Sequence, residues 1–259
     1  MFDRLVYLLI LTIYTALAGL LLTYFEANVL FVVLILSVLP ILIIWRLEQL
    51  KTGLLPILAL ISLGATMLFE AYAYTNGLWY ELSPFEVRLF GLVPVEAFVA
   101  AFVHVLYFVV IYEYLFDDRK SVRVVLPRSL RIVLGGATAM LALGLAYVYV
   151  FSNIILSGAF FYLIIGLCGV LAVLVATSHR SWRQVLGKAA LFALSVFPVS
   201  LVYEYVSLHN DLRFFANYHE YIYSFSLFGS MVPIEELVLI LVVPFWLVLI
   251  YELYLDDGK

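Results

Sequence analysis

Residues 94–120, PVEAFVAAFVHVLYFVVIYEYLFDDRK, align without gaps with residues 233–259, PIEELVLILVVPFWLVLIYELYLDDGK. Both segments begin with a proline and an early acid, continue as an apolar run, and end with a Tyr-Glu pair followed by two aspartates and a lysine. A run of about 20 apolar residues is long enough for a helix to cross the hydrocarbon core of a bilayer. We therefore interpret the two segments as equivalent membrane-spanning helices of a duplicated protein.

The rest of the chain is equally apolar. Hydrophobic residues make up 66% of the 259 residues and charged residues only 12%, with a mean hydropathy of +1.13. Soluble domains carry about 25% charged residues, and the excess apolar surface here requires lipid as a solvent. The single cysteine, Cys168, excludes a disulfide within one chain and a cysteine-based metal motif.

The distribution of basic residues predicts the topology. Of the 14 Lys and Arg residues, all except Arg88 and Arg213 fall on one side of a model with about eight spans. The positive-inside rule then puts both termini in the cytoplasm. We predict an all-α integral membrane protein with about eight transmembrane helices. The predicted spans lie at about 5–25, 28–45, 53–75, 89–116, 130–151, 155–177, 186–208 and 228–255.

The internal match extends upstream of the two quoted segments. The pattern E-x5-N-x-L-x-[YF] occurs at residues 70–80 and 204–214, and LFG follows at 89–91 and 227–229. We therefore predict two parallel four-helix repeats, residues 1–120 (helices 1–4) and 121–259 (helices 5–8), related by an axis along the membrane normal.

Carboxylates inside the predicted spans are the candidates for chemistry. An ionised side chain near the centre of a membrane helix costs about 2.5–3.5 kcal/mol. No Lys or Arg lies deep within a predicted span, since Arg131 and Lys188 stand at the ends of theirs, and His104 is the only basic side chain at the depth of the acids. We therefore expect several of these acids to be protonated or to share protons. The acids are Glu70, Glu96, Glu113, Glu204, Glu235, Glu236 and Glu252.

The repeated P-x-E motif predicts a helix start. Pro94 and Pro233 suit the first helical position, where a missing N–H costs nothing. Glu96 and Glu235 then take the third position, beside free N–H groups and the positive end of the helix dipole. The chain before each proline is expected to break the helix, and such breaks line cavities in membrane proteins. A helix-stabilising acid at the membrane interface is the alternative.

Aromatic residues crowd the predicted outer loops. They can form an interfacial belt or the wall of a cavity that stabilises a carbocation through cation–π attraction. His104 is interpreted as a hydrogen-bonded helix residue and is kept as a substrate-contacting candidate. The candidate substrate-binding residues are Asn76, Trp79, Tyr80, Pro94, His104, Asn210, Phe214 and Pro233; Phe215, Tyr218, Tyr221 and Tyr223 complete the aromatic group.

The sequence resembles the lycopene cyclase domain of archaea, some bacteria and fungi. The segments 76–80 (NGLWY), 89–91 and 94–96 (PVE) are similar to that family, and residues 233–236 (PIEE) match its P-x-E-E signature in full. The resemblance covers about half of the chain. Ala97 stands where the family has its second acid, which weakens the first repeat as a catalytic unit.

The resemblance implies a non-redox cyclisation of the linear ψ ends of lycopene to β-ionone rings. A carboxylic acid would protonate the terminal double bond, and a base would remove a proton after ring closure. We assign these roles to Glu235 and Glu236. Glu96, Glu70 and Glu204 would tune or relay protons, and Asn76 and Asn210 would orient the acids. We expect no cofactor and no metal.

Two other functions fit the same residues. A carotenoid hydratase or another prenyl-lipid isomerase would share the proton donor, and the hydratase would capture the cation with water. A proton- or cation-coupled carrier would also place acids at one depth in parallel repeats. In the cyclase interpretation the partners are a lipophilic polyene and membrane lipid in the plasma membrane, without nucleic acid, and a homo-oligomer is left open.

Overall fold

The computed structural model describes residues 2–47, 55–89, 91, 93–116, 182–216, 219, 221–227 and 229–252, and this part of the chain is mostly helical. Within it, four helices are long and apolar enough to cross a membrane. The helices are α1 (Phe2–Tyr24), α2 (Val29–Val33), α3 (Leu39–Leu47), α4 (Leu55–Asn76), α5 (Val95–Leu115), α6 (Trp182–His209) and α7 (Ile234–Ile250), and a π-helical turn, Leu34–Val38, joins α2 to α3.

Exposed aliphatic side chains cover the outward faces of these helices. Leu20 in α1, Leu60 in α4 and Leu194 in α6 each expose more than 60% of their surface. Apolar faces of this extent are unusual on soluble monomers and are typical of helices that contact lipid. The prediction of a largely helical, membrane-compatible protein is confirmed in this coarse form.

The α2–α3 segment is capped at one end and distorted in the middle. The Asn28 side chain accepts hydrogen bonds from the backbone N–H groups of Leu30 (3.1 Å) and Phe31 (3.2 Å), which fixes the start of α2. A π-helical turn widens the helix by one residue and disturbs its carbonyl pairing. The Tyr14 hydroxyl of α1 donates to the carbonyl of Ile35 in that turn (2.6 Å).

The main core forms where α3, α5, α6 and α7 meet. Ile41, Ile111, Phe192 and Leu249, one from each helix, are almost fully buried there. A second cluster joins α1, α2 and α6. Burial of these side chains is the chief stabilising contribution that the helices make to one another in the interior.

Short antiparallel strands connect the helices. They are β1 (Trp79–Glu81), β2 (Arg88–Leu89), β3 (Val93–Pro94), β4 (Arg213–Phe215), β5 (Ser224–Leu227) and β6 (Ser230–Pro233). β2 pairs with β3 and β5 with β6 as hairpins, and β1 pairs with β4. The all-α prediction did not include these strands, because strands of two to four residues leave no periodicity to detect.

The hairpins explain the breaks expected before α5 and α7. Gly91 (φ 71°) and Gly229 (φ 91°) occupy the left-handed region in the tight β2–β3 and β5–β6 turns. Pro94 and Pro233 end the hairpins as the N-cap residues of α5 and α7. Both helices therefore begin one residue later than predicted, so Glu96 and Glu235 occupy the second helical position and not the third.

Several predicted features lie outside the described residues. These are the spans at 130–151 and 155–177, Tyr218, Cys168 and the paired aspartates at 117–118 and 256–257. The number of spans and the side on which each terminus lies therefore stay predictions.

Close contact between α1 and α6 generates a first testable prediction. A Cβ atom added at Gly19 would overlap Cγ1 of Val202, whose β-branched side chain has little rotameric freedom. Small residues let membrane helices approach each other in this way. We expect Gly19→Ala to destabilise the protein by about 1–3 kcal/mol, measured by thermal unfolding of the detergent-solubilised protein.

Gly187 of α6 is the matched control, because a Cβ atom there meets no other atom within 4 Å. We expect Gly187→Ala to be neutral or stabilising by up to about 1 kcal/mol. Equal melting temperatures for the two variants would refute the close α1–α6 contact.

Candidate active site

The pairing of β1 with β4 brings the ends of α4 and α6 together. Tyr80 lies opposite Phe214 at the centre of this two-stranded ribbon. On one side the backbone N–H of Leu82 donates to the carbonyl of Leu212 (2.9 Å), and on the other Ala216 donates to Leu78 (3.1 Å). The ribbon follows each helix after a single turn, so it fixes side chains near both helix ends.

The turns that lead into the ribbon have the same geometry. After α4, Leu78 N–H donates to Ala73 (2.9 Å), and after α6, Leu212 N–H donates to Ser207 (2.8 Å). Gly77 (φ 62°) takes the left-handed conformation that the first turn requires. Asp211 (φ 54°) takes it in the second, although L-residues with side chains rarely adopt it.

Two equivalent contacts link the ribbon to helix carboxyls. Trp79 Nε1 donates to both oxygens of Glu70 (3.3 and 3.2 Å), and Arg213 Nη1 donates to Oε2 of Glu204 (3.3 Å). In each case the donor follows the acid by nine residues. The same Arg213 nitrogen also donates to Oε1 of Glu236 at the start of α7 (2.9 Å). One guanidinium therefore bridges acids from two helices.

The Arg213 side chain is largely enclosed. Only 14% of it is exposed, against 7% of the Glu204 side chain and 3% of that of Glu236. Its guanidinium carbon lies 4.9 Å from the centre of the Trp79 ring and 5.1 Å from that of Phe215. Cation–π contacts of this kind hold a guanidinium in place when water is excluded.

This ion pair corrects one sequence prediction. We expected the carboxyls of the spans to have no basic partner except His104, because Arg213 lies in a loop beyond the predicted seventh helix. That expectation was wrong for Glu204 and Glu236, since β4 returns along β1 and carries Arg213 back onto both acids.

Glu96 and Glu235 hold the loops before their helices. Oε1 of Glu96 accepts hydrogen bonds from Ser83 Oγ (2.8 Å) and from the backbone N–H of Phe85 (2.9 Å). Oε1 of Glu235 accepts from the backbone N–H of Ile222. In both acids, Oε2 is buried and has no hydrogen-bond partner among the described residues.

The acids at the starts of α5 and α7 are thus held at one oxygen. Glu96 and Glu235 expose only 5% and 4% of their surface. Because consecutive helical residues point in different directions, Glu235 contacts the loop while Glu236 contacts Arg213. The sequence motif P-I-E-E therefore supplies two carboxyls with different environments.

Glu81 joins this group, although it was not among the candidates predicted from the sequence. It lies directly opposite Arg213 in the ribbon, and its carbonyl accepts a hydrogen bond from Arg88 Nη2 (3.0 Å). Burial, reinforced by the negative charges of Glu70 and Glu236, raises the pKa of Glu81 to about 8, although Arg213 and Arg88 oppose the shift. The repeat alignment gave no signal, because its counterpart is Phe215.

The two candidate asparagines contact backbone atoms. Asn76 Nδ2 donates to the carbonyl of Tyr72 in its own helix (2.7 Å). Asn210 Nδ2 donates to the carbonyls of Leu22 (3.1 Å) and Ala27 (2.9 Å), and so holds the turn between α1 and α2. These amide donors serve the fold, whereas we had expected both asparagines to orient acids.

His104 behaves as a helix residue. Its Nδ1 lies 2.7 Å from the carbonyl of Ala100, one turn earlier in α5. Its ring packs edge-on against Tyr203, with ring centroids 4.3 Å apart. Tyr203 directly precedes Glu204 in α6, so the histidine packs beside the helix that carries the ion pair.

Aromatic side chains surround the ribbon. The Tyr80 ring lies 5.4 Å from that of Phe214 and 5.6 Å from that of Tyr74. Tyr221 packs edge-on against Phe215 and donates from its hydroxyl to the carbonyl of Leu78 (2.9 Å). Trp79 is 2% exposed, whereas Phe214 is 43% exposed.

A further acid contact lies near the opposite end of α5, just beyond the end of α7. The Tyr112 hydroxyl donates to Oε1 of Glu252, and the Tyr112 ring packs edge-on against Tyr251 with centroids 6.1 Å apart. This contact joins α5 to α7, and it is distinct from the ion pair at Arg213. Glu113 follows Tyr112 in the same region.

Comparison with known proteins gives no assignment. No protein-family model matches the chain, and no curated protein or solved structure shows significant similarity to it. Within the described ranges, no group of three or more His, Cys, Asp or Glu side chains has the arrangement of a metal site.

The environment of Glu81 generates a second prediction. Between about pH 4.5 and pH 8 the folded protein binds a proton at Glu81 that the unfolded chain releases, so stability falls as the pH rises through this range. Glu81→Gln removes that dependence. We expect the variant to gain melting temperature relative to the parent protein by a few degrees more at about pH 9 than at about pH 5.

Thermal unfolding in detergent at the two pH values measures this difference. Glu86→Gln, at an exposed position in the same loop, is the matched control for replacing a carboxyl by an amide. If the two variants show the same pH dependence, the surroundings of Glu81 do not raise its pKa.

Proposed function

We propose that this chain is a multi-pass membrane lycopene β-cyclase of the plasma membrane, which converts the ψ ends of lycopene to β-ionone rings without a cofactor. The observation that carries the proposal is the pair of unlike carboxyls at the start of α7. Glu235 is held at one oxygen by a backbone N–H, while Glu236 is held by the Arg213 guanidinium. Acid catalysis followed by deprotonation needs two such groups.

The proposal includes an architecture of about eight spans in two parallel four-helix repeats, with both termini cytoplasmic. Contacts at matching repeat positions support it. Trp79 binds Glu70 as Arg213 binds Glu204. Tyr80 pairs with its own counterpart Phe214. The hydrogen bonds that flank the ribbon run from Leu82 to Leu212 and from Ala216 to Leu78, and the repeat alignment converts one into the other. A two-fold axis through the ribbon would generate this pattern.

Glu235 is the proposed proton donor. Its Oε2 is buried, and no donor is directed at it within the described part of the chain. A negative charge on that oxygen would be poorly solvated, whereas an O–H group there can be directed at a carbon–carbon double bond. The Ile222 amide on Oε1 fixes the carboxyl plane. Proton transfer to the terminal double bond would leave a carbocation on the polyene.

Glu236 is the proposed base. The ion pair with Arg213 favours its carboxylate form. After the cation closes the six-membered ring, Glu236 would accept the proton that the ring loses. One proton enters the polyene and one leaves, so the product is an isomer of the substrate and no electrons are exchanged. Glu96, Glu70 and Glu204 would relay or tune protons around this step.

The aromatic ring groups suit a cationic intermediate. A carbocation is poorly solvated in an apolar site, and the faces of Tyr80 and Phe214 would offer it electron density, whereas the Trp79 ring already packs against Arg213. The exposed Phe214 face and the exposed aliphatic helix surfaces also suit a long polyene that enters from lipid.

Expression in a bacterial host that accumulates lycopene tests the proposal. We expect the parent chain to convert lycopene to γ- or β-carotene, and Glu235→Gln with Glu236→Gln to abolish conversion at equal membrane expression. Each single substitution should lower the rate by about 10²-fold or more, the usual contribution of one general acid or base. Chromatography of the extracted pigments measures the products.

Glu26→Gln, an exposed acid in the turn between α1 and α2, is the control and should convert lycopene as the parent chain does. Unchanged lycopene in the presence of well-folded parent protein would refute the cyclase. A hydrated product would favour the hydratase, and the absence of any product together with ion-dependent uptake would favour the carrier.

A further inference from the structure

At the aligned positions of the first half, the residues of the Arg213–Glu236 ion pair have no charged counterparts. By the sequence alignment, Trp79 stands where Arg213 stands, and Ala97 stands where Glu236 stands. The cation and the second acid are thus absent together. A side chain that merely stabilised the ribbon would not need a charge partner in α7, whereas an ion pair requires both members.

Charges around the ribbon are unevenly balanced. The electrostatic neighbours of Glu81 are Glu70, Glu236, Arg213 and Arg88, and Glu204 also contacts Arg213. Among these named groups, carboxyls outnumber guanidiniums. Arg213 donates to Glu204 and Glu236, whereas Arg88 donates to a carbonyl and lies over the Tyr74 ring (4.9 Å). The charge of Arg213 is therefore directed at two specific carboxyls.

Trp79 packs against the Arg213 guanidinium of the other half. The ring centroid is 4.9 Å from the guanidinium carbon, and the Trp79 Nε1 donates to Glu70. A planar guanidinium can stack on an indole and still bridge two acids, which an ammonium group does less well. The two equivalent acids thus have different partners. Glu70 accepts from a neutral donor, Trp79, whereas Glu204 pairs with a cation, Arg213.

We propose that Arg213 is a positioning residue that keeps Glu236 ionised, so that the second half of the chain has a proton-accepting centre beside Glu204. The first half supplies Trp79 as the platform for the guanidinium. The assignment of Glu236 as the base of a cyclisation rests on the proposed function, but its ionisation does not. The two ideas can therefore fail separately.

Infrared difference spectroscopy of the purified protein tests the ionisation directly. The carbonyl band of protonated carboxyl groups, identified by its shift on hydrogen–deuterium exchange, counts the neutral acids. Removal of one buried positive charge is balanced by proton uptake, so Arg213→Met should gain about one protonated carboxyl per chain at neutral pH. Arg213→Lys, which keeps the charge, should gain less than half as much.

Two further variants keep the test decisive if Arg213→Met fails to fold. Glu236→Gln should leave the protonated-carboxyl band unchanged, because the removed group is ionised, and Arg213→Met with Glu236→Gln should restore both folding and the parent band. Lys188→Met, which removes a positive charge elsewhere on α6, is the control. An unchanged band in folded Arg213→Met, or the loss of about one protonated carboxyl in Glu236→Gln, would overturn the proposal.

Activity gives the functional readout. If the chain cyclises lycopene, Arg213→Met should reduce turnover by about 10²-fold, and Arg213→Lys should recover part of it with a changed pH profile. If the infrared bands change as expected and the parent chain forms no cyclic product, the positioning role of Arg213 stands and the cyclase is refuted.

Discussion

The rest of the site depends on one interaction, in which a buried guanidinium bridges two carboxyls. An acid buried in an apolar helix bundle must bind a proton, pair with a cation or accept hydrogen bonds, because uncompensated charge is poorly solvated there. Arg213 meets that requirement for Glu204 and Glu236 through one nitrogen atom. Glu96 and Glu235 meet it differently, with backbone and hydroxyl donors at a single oxygen. The site thus contains carboxyls that pair with a cation and carboxyls that are held by neutral hydrogen-bond donors.

The short ribbon explains how these groups come to be neighbours. Each of its strands follows a long helix after one tight turn, and the acids lie near the ends of those helices. Pairing the strands therefore brings together side chains that are more than 100 residues apart in the sequence. A ribbon of this length contributes few hydrogen bonds. It is stabilised by the burial of its own Trp79 and Phe215 side chains together with Tyr221.

Much of the helical framework could be predicted from the sequence, because apolar runs long enough to span a bilayer are a strong signal. The P-x-E motif also located the starts of α5 and α7 to within one residue. The partner of Glu236 could not be predicted, since hydropathy assigns Arg213 to a loop and says nothing of where that loop returns. Glu81 was missed for a related reason, because its importance comes from Arg213, Glu70 and Arg88 around it and not from its neighbours in the chain.

The register of β1 against β4 is self-complementary. Tyr80 meets its counterpart Phe214 at the centre, and the hydrogen bond from Leu82 to Leu212 at one end is matched by the bond from Ala216 to Leu78 at the other. An edge of this kind can join two fragments as readily as two halves of one polypeptide. A gene cut between residues 120 and 121 would thus leave each product with the strand that recognises the other. It would leave Arg213 on one product and its Trp79 platform on the other, so the complete site would serve as the signature of correct reassembly.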